Sequence, residues 1–398
     1  MARIVFINVP AHGHTNPTLP LVQELVDRGH SVIYYSFDAF SAAITRAGAT
    51  FRSYQHLMTV DYTRPDPNLF RLTTMLLRTT AQVLPELRTL VATDAPDVII
   101  YDSLCPWGKY LAKILDVPAI CSTTTFALNA RVAASSPGQI VDFVRMYLAA
   151  QPHLREFRAI AHTLQQTYGI PKLQPIDLLR NDGALNLVYT STHLQPAVKT
   201  FPAHYHFVGP SLPARDTTST FPISLLADTP LIYISLGTLF NENVAFYRLC
   251  FAALADLPAQ VLISIGSKLD AAALGNVPAN TTLRASVPQI MVLQRAQAFV
   301  THGGMNSVHE AFWYGVPMVV IPQAADQQIV AQRIPAVSAG IWLDMNRLTA
   351  AQLRAAIERV LSEPAYRVAS QAIGQSLAAA GGQTLAADLV EQFLASAA

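Results

Sequence analysis

The sequence predicts an α/β protein made of two parallel-sheet domains. Three observations carry this. Short apolar runs alternate with helical stretches along nearly the whole chain, the pattern of parallel strands joined by crossover helices. The pattern stops at Gly209 to Pro222, a stretch rich in proline, serine and threonine, and restarts after it. The length of 398 residues suits two domains better than one or three. The expected division is a domain at 1–208, a linker at 209–222, a second domain at 223–380 and a closing helix at 381–398.

In the first half, Arg3 to Val9 is an apolar strand, and Pro10 to Pro17 is a polar loop containing AHGHTNP. Leu19 to Arg28 is an amphipathic helix ended by Gly29, where a C-terminal glycine commonly sits. Ser31 to Ser36 is the second strand, and Phe40 to Ala47 is a helix closed by Gly48. Thr59 to Pro67 reads as a proline-broken loop, and Leu69 to Thr93 as a long apolar helix containing Pro85. Asp97 to Tyr101 is a buried strand that delivers Asp102 at its end. Trp107 to Leu115 is helical, Ala119 to Ser122 is a strand, and Thr123 to Gly138 begins as a loop of small residues. Val141 to Tyr168 is helical, and Asn186 to Thr190 and Tyr205 to Val208 are strands.

After the linker, Leu231 to Leu236 is a strand, Gly237-Thr238 a turn and Val244 to Leu254 a helix. Val261 to Ile265 and Thr282 to Ala285 are strands. Ala298 to Thr301 is a short apolar strand broken by His302-Gly303-Gly304. Asn306 to Tyr314 is a helix ended by Gly315, and Pro317 to Pro322 is another buried strand. Ala350 to Leu361, Ala365 to Ala379 and Thr384 to Ala395 are helices, with Gly381-Gly382 breaking the last two apart.

Composition removes several classes of function. Hydrophobic residues make up 51% of the chain and charged residues 13%, so large cores form and disorder is excluded. A formal net charge of +1 without a long basic run argues against nucleic acid as the main partner. The three cysteines, Cys105, Cys121 and Cys250, form neither a metal pair nor a disulfide framework, which fits buried thiols in a cytoplasmic protein. The apolar run at the N-terminus breaks at Pro10 and His12 and reads as a strand rather than a signal peptide. No window approaches about 18 uninterrupted apolar residues, so no membrane span is expected.

The densest chemistry lies in SVPQIMVLQRAQAFVTHGGMNSVHEAFWYGVPMVVIPQAADQ, from Ser286 to Gln327. Its glycine turn sets bare N–H groups and a helix N-terminus beside the end of a parallel strand, an arrangement suited to a pyrophosphate. Asn306 and Ser307, in the first helical turn, can donate to phosphate oxygens. Glu310 lies one turn deeper on the same face as Asn306 and can accept from ribose hydroxyls. Asp326 and Gln327 follow the next strand and offer an acceptor and an amide to sugar hydroxyls.

This stretch resembles the C-terminal signature of the family 1 glycosyltransferases, the UDP-sugar-dependent enzymes of secondary metabolism. It is most similar to the bacterial macrolide and polyphenol group. The resemblance implies two Rossmann-like domains facing a cleft, the GT-B fold, with the last helix returning to the N-terminal domain. It implies that Val287 and the following Pro-Gln289 hold the uracil by backbone contacts. It also implies that His302, Gly303, Gly304, Asn306 and Ser307 hold the diphosphate, Glu310 the ribose, and Asp326 and Gln327 the hexose. Many members carry an aromatic residue before this Val-Pro-Gln to stack on the base, whereas this chain has Ser286. A TDP-deoxysugar donor therefore stays open beside UDP-glucose.

Sugar transfer to a hydroxyl needs a base for the acceptor proton and a stabilised diphosphate leaving group. His14 lies after the first strand near a helix N-terminus, which favours the neutral imidazole a base requires. Asp102 ends another strand and could hold the His14 tautomer. His12 competes with His14. The family pattern, with glycine directly before the base, matches Gly13-His14 through Asn16-Pro17 and implies that His14 is the base with Asp102 its partner. The expected reaction is a single inverting displacement, with Thr238 as an added donor and no metal ion. An apolar small-molecule acceptor would lie against Leu104, Phe126, Phe143, Met146 and the segment from Met58 to Met75.

Rival readings fit less well. A hydrolase would need a G-x-S-x-G elbow and a dehydrogenase a G-x-G-x-x-G turn after a strand, and neither occurs. A nucleotide-sugar epimerase of the same fold and a non-catalytic sugar-nucleotide binder remain alternatives.

Overall fold

The computed structural model describes residues 1–59, 68–133, 137–211, 229–237, 241–323 and 325–397. The chain divides into two compact units, one of residues 1–211 and 380–398, the other of residues 212–379. Much of the expected linker, and most of the loop read at Thr59 to Pro67, lies outside the described residues.

The first unit holds seven strands: β1 Arg3–Ile7, β2 Ser31–Ser36, β3 Thr50–Ser53, β4 Val98–Asp102, β5 Ala119–Thr123, β6 Leu185–Val188 and β7 Tyr205–Phe207. They pair in the order β3-β2-β1-β4-β5-β6-β7, every pair parallel. The central strands are buried on both faces, which is why they read as continuous apolar runs rather than alternating ones. The chain starts in the middle of the sheet, builds toward one edge, then crosses to the other side of β1. The reversal falls between β1 and β4, and the loops beyond their carboxyl ends flank the crevice where such sheets bind ligands.

The second unit repeats the plan with β8 Leu231–Ser235, β9 Gln260–Ser264, β10 Thr281–Arg284, β11 Ala298–Thr301, β12 Met318–Val320 and β13 Gly340–Trp342, in the order β10-β9-β8-β11-β12-β13. Here the reversal falls between β8 and β11, in register from Ala298 opposite Ile232 to Thr301 opposite Ser235. Both units are therefore parallel α/β sheets with a switch point, and each carries its expected functional loops there.

The helix Gly382–Ala397 belongs to the first unit. Ala386, Ala387 and Val390 are fully buried in one core with Leu21, Val22 and Leu25 of the helix Leu19–Asp27. Arg28 reaches Asp388 at 2.6 Å and Glu391 at 2.8 Å, and His30 Nε2 meets Glu391 at 3.0 Å. The Gly382 N–H donates to the Val208 carbonyl.

Three expectations need correction. Pro10 to Pro17 is not a loop throughout: His12–Thr15 is helical and Asn16–Thr18 a tight turn that runs into the helix Leu19–Asp27. Pro17 is tolerated because it sits in the first positions of that turn, where its missing N–H has no helical partner to lose. Val141 to Tyr168 is two helices, Pro137–Ala149 and Gln151–Tyr168, because Pro152 starts the second. Two edge strands, β3 and β13, carry no clear apolar run in the sequence. β3 is half exposed, and β13 opens on Gly340, where an added Cβ would meet the Met318 carbonyl oxygen at 2.0 Å.

Candidate active site

One group of candidate residues sits at the switch point of the first sheet. β1 and β4 are neighbours in register, Ile7 opposite Tyr101, so Asp102 emerges beside the segment that leaves β1. His14 lies in the helical turn that follows. Its Nδ1 stands 2.8 Å from Asp102 Oδ2, with the carboxylate side chain wholly buried and the imidazole 15% exposed. The other carboxylate oxygen, Oδ1, accepts from the Leu104 N–H at 2.7 Å. Thr124 Oγ1 lies 3.0 Å from the same His14 Nδ1. Asn8 Nδ2 donates to the His14 carbonyl at 3.0 Å and to the Tyr34 hydroxyl at 2.6 Å, tying the turn to the sheet.

This arrangement fixes the tautomer. A ring nitrogen facing an ionised carboxylate must carry its proton, which leaves Nε2 with the lone pair. His12, the competitor, is exposed and packs edge-on against Phe40 at 4.9 Å. Thr124 had no motif to announce it. It follows β5, the neighbour of β4, and the rule that strand ends build the site could have pointed to it.

The expected acceptor walls divide. Leu104 is partly buried against the core of the first unit, and Phe126 is buried at 3% exposure. Phe143 and Met146 pack with Phe70, Ala150 and Leu154, the Phe70 and Phe143 rings 4.9 Å apart.

A second group sits at the switch point of the second sheet. Gly303 has φ +85, and Gly304 is the N-cap of the helix Met305–Trp313. A Cβ on Gly304 would meet His302 Nε2 at 2.4 Å, and one on Gly237, after β8, would meet His302 Cε1 at 2.6 Å. Two glycines thus leave the volume that the imidazole fills. Burial lowers the His302 pKa to about 4, against a smaller opposing hydrogen bond at the Ser235 backbone, so the ring is neutral near pH 7. The first-turn N–H groups of the helix have no intrahelical acceptor, and such groups are neutral donors that can face an anion.

Glu310 lies one turn further along. Burial raises its carboxyl pKa, and the hydrogen bond from Gln289 opposes the rise. Gln289 Nε2 donates to Glu310 Oε2 at 2.7 Å and to Ser307 Oγ at 3.1 Å. Val287, half-buried, precedes the short helix Gln289–Leu293. Gln327 is buried, and its Oε1 accepts from the Gln323 N–H at 2.8 Å, so part of the amide expected to face a hexose serves its own loop. Thr238 and the side chain of Asp326 lie outside the described residues. Among the described residues no cluster of His, Cys, Asp and Glu suits a metal ion, and no helix is long and apolar enough to cross a membrane.

Comparison with known proteins shows the family. Residues 248–392 match the family model described as "Erythromycin biosynthesis protein CIII-like, C-terminal domain". The chain is 33% identical to the uncharacterized UDP-glucosyltransferase YojK of Bacillus subtilis, covering 98% of this chain and 97% of that one. It is 34% identical to the NDP-glycosyltransferase YjiC of the same organism, covering 99% and 98%. The crystal structure of the glycotransferase of kitacinnamycin superposes with a TM-score of 0.85 at 30% identity, covering 98% of each chain. These relatives are named for sugar transfer, and the epimerase reading finds no support in them. The chain is a glycosyltransferase with the GT-B fold, and it belongs to family 1 of the glycosyltransferases.

Proposed function

We propose that this enzyme moves a hexose, glucose in the first instance, from a UDP-sugar to a hydroxyl of an apolar small molecule such as a polyphenol or macrolide. His14 acts as general base. Its Nε2 takes the acceptor proton while Asp102 holds Nδ1–H and stabilises the imidazolium that forms. The acceptor oxygen bonds to the anomeric carbon as the bond from that carbon to the diphosphate breaks. The electron pair leaves with the diphosphate, and the configuration inverts.

Val287 and Gln289 serve the base end of the donor through their backbone, Glu310 the ribose, and Asp326 and Gln327 the sugar. The charge gathering on the leaving group meets Gly303, Gly304, Asn306, Ser307 and the neutral His302, all of them uncharged donors. We take this set to do the work without a metal ion. A soluble cytoplasmic setting suits a nucleotide-sugar donor.

The observation that carries the reading is the His14–Asp102 pair, with the second carboxylate oxygen already held by Leu104. The glucose assignment draws on the name of YojK, a UDP-glucosyltransferase. Mass spectrometry of reactions pairing UDP- and TDP-sugars with phenolic and macrolide acceptors tests it. A hexose adduct from UDP-glucose on a phenol supports the reading. Adducts formed only from TDP-deoxysugars would replace the donor assignment, and no adduct with any pair would end it.

A further inference from the structure

Tyr233 is the third residue of β8, 2% exposed, with its ring stacked on Phe299 at 4.8 Å and an interplanar angle of 6°. Burial pushes its phenol above the ordinary tyrosine range, so the hydroxyl keeps its proton and can donate. It donates to Gln289 Oε1 at 3.1 Å. With that oxygen satisfied, the amide nitrogen faces the other way, toward Ser307 Oγ and Glu310 Oε2. The reverse assignment would set a carbonyl 2.7 Å from a carboxylate, two acceptors without a proton between them.

The direction of each hydrogen bond follows from this. Ser307 accepts from the amide, so its own O–H is turned outward as a donor, which is what a phosphate oxygen needs. Glu310 receives one amide proton on Oε2. Its Oε1 takes no hydrogen bond from a described residue and stays an acceptor, which is what a ribose diol needs.

Resting on the donor-site reading above, we propose that Tyr233 and Gln289 form a positioning relay. The relay sets Ser307 as donor and Glu310 as acceptor, and so makes the enzyme select ribonucleotide over 2′-deoxyribonucleotide donors. Two vicinal hydroxyls can donate to a fixed carboxylate where a deoxyribose offers one. Neither relay residue needs to touch the nucleotide for this.

The probes are UDP and 2′-deoxy-UDP, which share a base and differ at one hydroxyl. Their dissociation constants, measured by titration calorimetry on the full chain, give a preference for UDP of about tenfold or more in the wild type, the size of one hydrogen bond to a charged group. Gln289→Met keeps the length of the side chain and removes both ends of the relay, and its preference falls to about twofold. Tyr233→Phe keeps the ring stack and removes only the hydroxyl, and it gives an intermediate ratio. In Tyr233→Phe, donor KM rises while kcat at saturating donor changes less than about threefold. Glu310→Ala is the reference and abolishes the preference. If both relay variants keep the wild-type ratio while Glu310→Ala loses it, or if they weaken UDP and 2′-deoxy-UDP equally, the relay proposal is overturned and the donor-site reading stands. If Glu310→Ala itself keeps the ratio, the donor-site reading falls and the relay with it.

Discussion

Replacing Asp102 with asparagine perturbs the site in a way the geometry makes specific. The carboxylate serves two donors with two oxygens, Leu104 N–H at 2.7 Å and His14 Nδ1 at 2.8 Å. Asparagine has one oxygen. If that oxygen keeps the Leu104 N–H, the new amide N–H faces His14 Nδ1 and donates to it. The imidazole must then carry its proton on Nε2, where the base needs a lone pair. If the oxygen faces His14 instead, the amide N–H confronts the Leu104 N–H, two buried donors opposed. The imidazolium also loses its counter-charge. A hydrogen bond to a charged group is worth about 1.5–3 kcal/mol, or roughly 10- to 150-fold. With the wrong tautomer added, kcat should fall by about 100- to 10,000-fold. Initial rates with a phenolic acceptor at saturating UDP-sugar read this, and UDP binding measured beside them should move less than about twofold. A variant whose kcat stays within about threefold of wild type would refute the pairing argument.

Other expectations follow from the same structure. Gly304→Ala keeps an allowed backbone, φ −62 and ψ 134, but its Cβ meets His302 Nε2 at 2.4 Å, so the ring must move. UDP affinity should drop about tenfold or more by calorimetry, with little change in melting temperature. His309 is buried, and burial alone lowers its pKa from 6.5 to about 3, so the unfolded chain binds its proton more readily. Stability then falls as pH falls from about 6.5 toward 3. His309→Gln should flatten that loss by up to about 2 kcal/mol between pH 6.5 and 4.5 in urea titrations. Val390→Ala, fully buried in the closing helix, should cost about 1.5–3 kcal/mol. Arg28→Ala, whose ion pairs to the same helix are partly exposed, should cost about 0.5–1 kcal/mol and less at high salt.

Much of the fold was legible because the central strands are buried on both faces and the crossover helices are amphipathic. Apolar runs such as Ile4 to Ile7 and Val98 to Tyr101 leave little alternative. Edge strands are half wet and short, so Thr50–Ser53 and Gly340–Trp342 carried no comparable signal. The turn holding His14 read as loop because Gly13 and Pro17 are poor helix residues, yet each occupies a position the local geometry tolerates.

Among the candidate residues, those tied to a strand end or a glycine turn stand out in the sequence: His14, Asp102, and His302 through Ser307. Residues that act through contacts distant in sequence do not. Thr124 meets His14 across 110 positions, and Tyr233 meets Gln289 across 56. No local spacing encodes either pair. Gln289 was legible as a member of the donor stretch, but the inward direction of its amide depends on Tyr233.

The central claim is that the His14 imidazole removes the acceptor proton while the second unit holds the donor independently of it. His14→Ala tests this when transfer rate and UDP affinity are measured on one preparation. The account requires kcat to collapse by about 100-fold or more with the UDP dissociation constant unchanged. Undiminished turnover would contradict it.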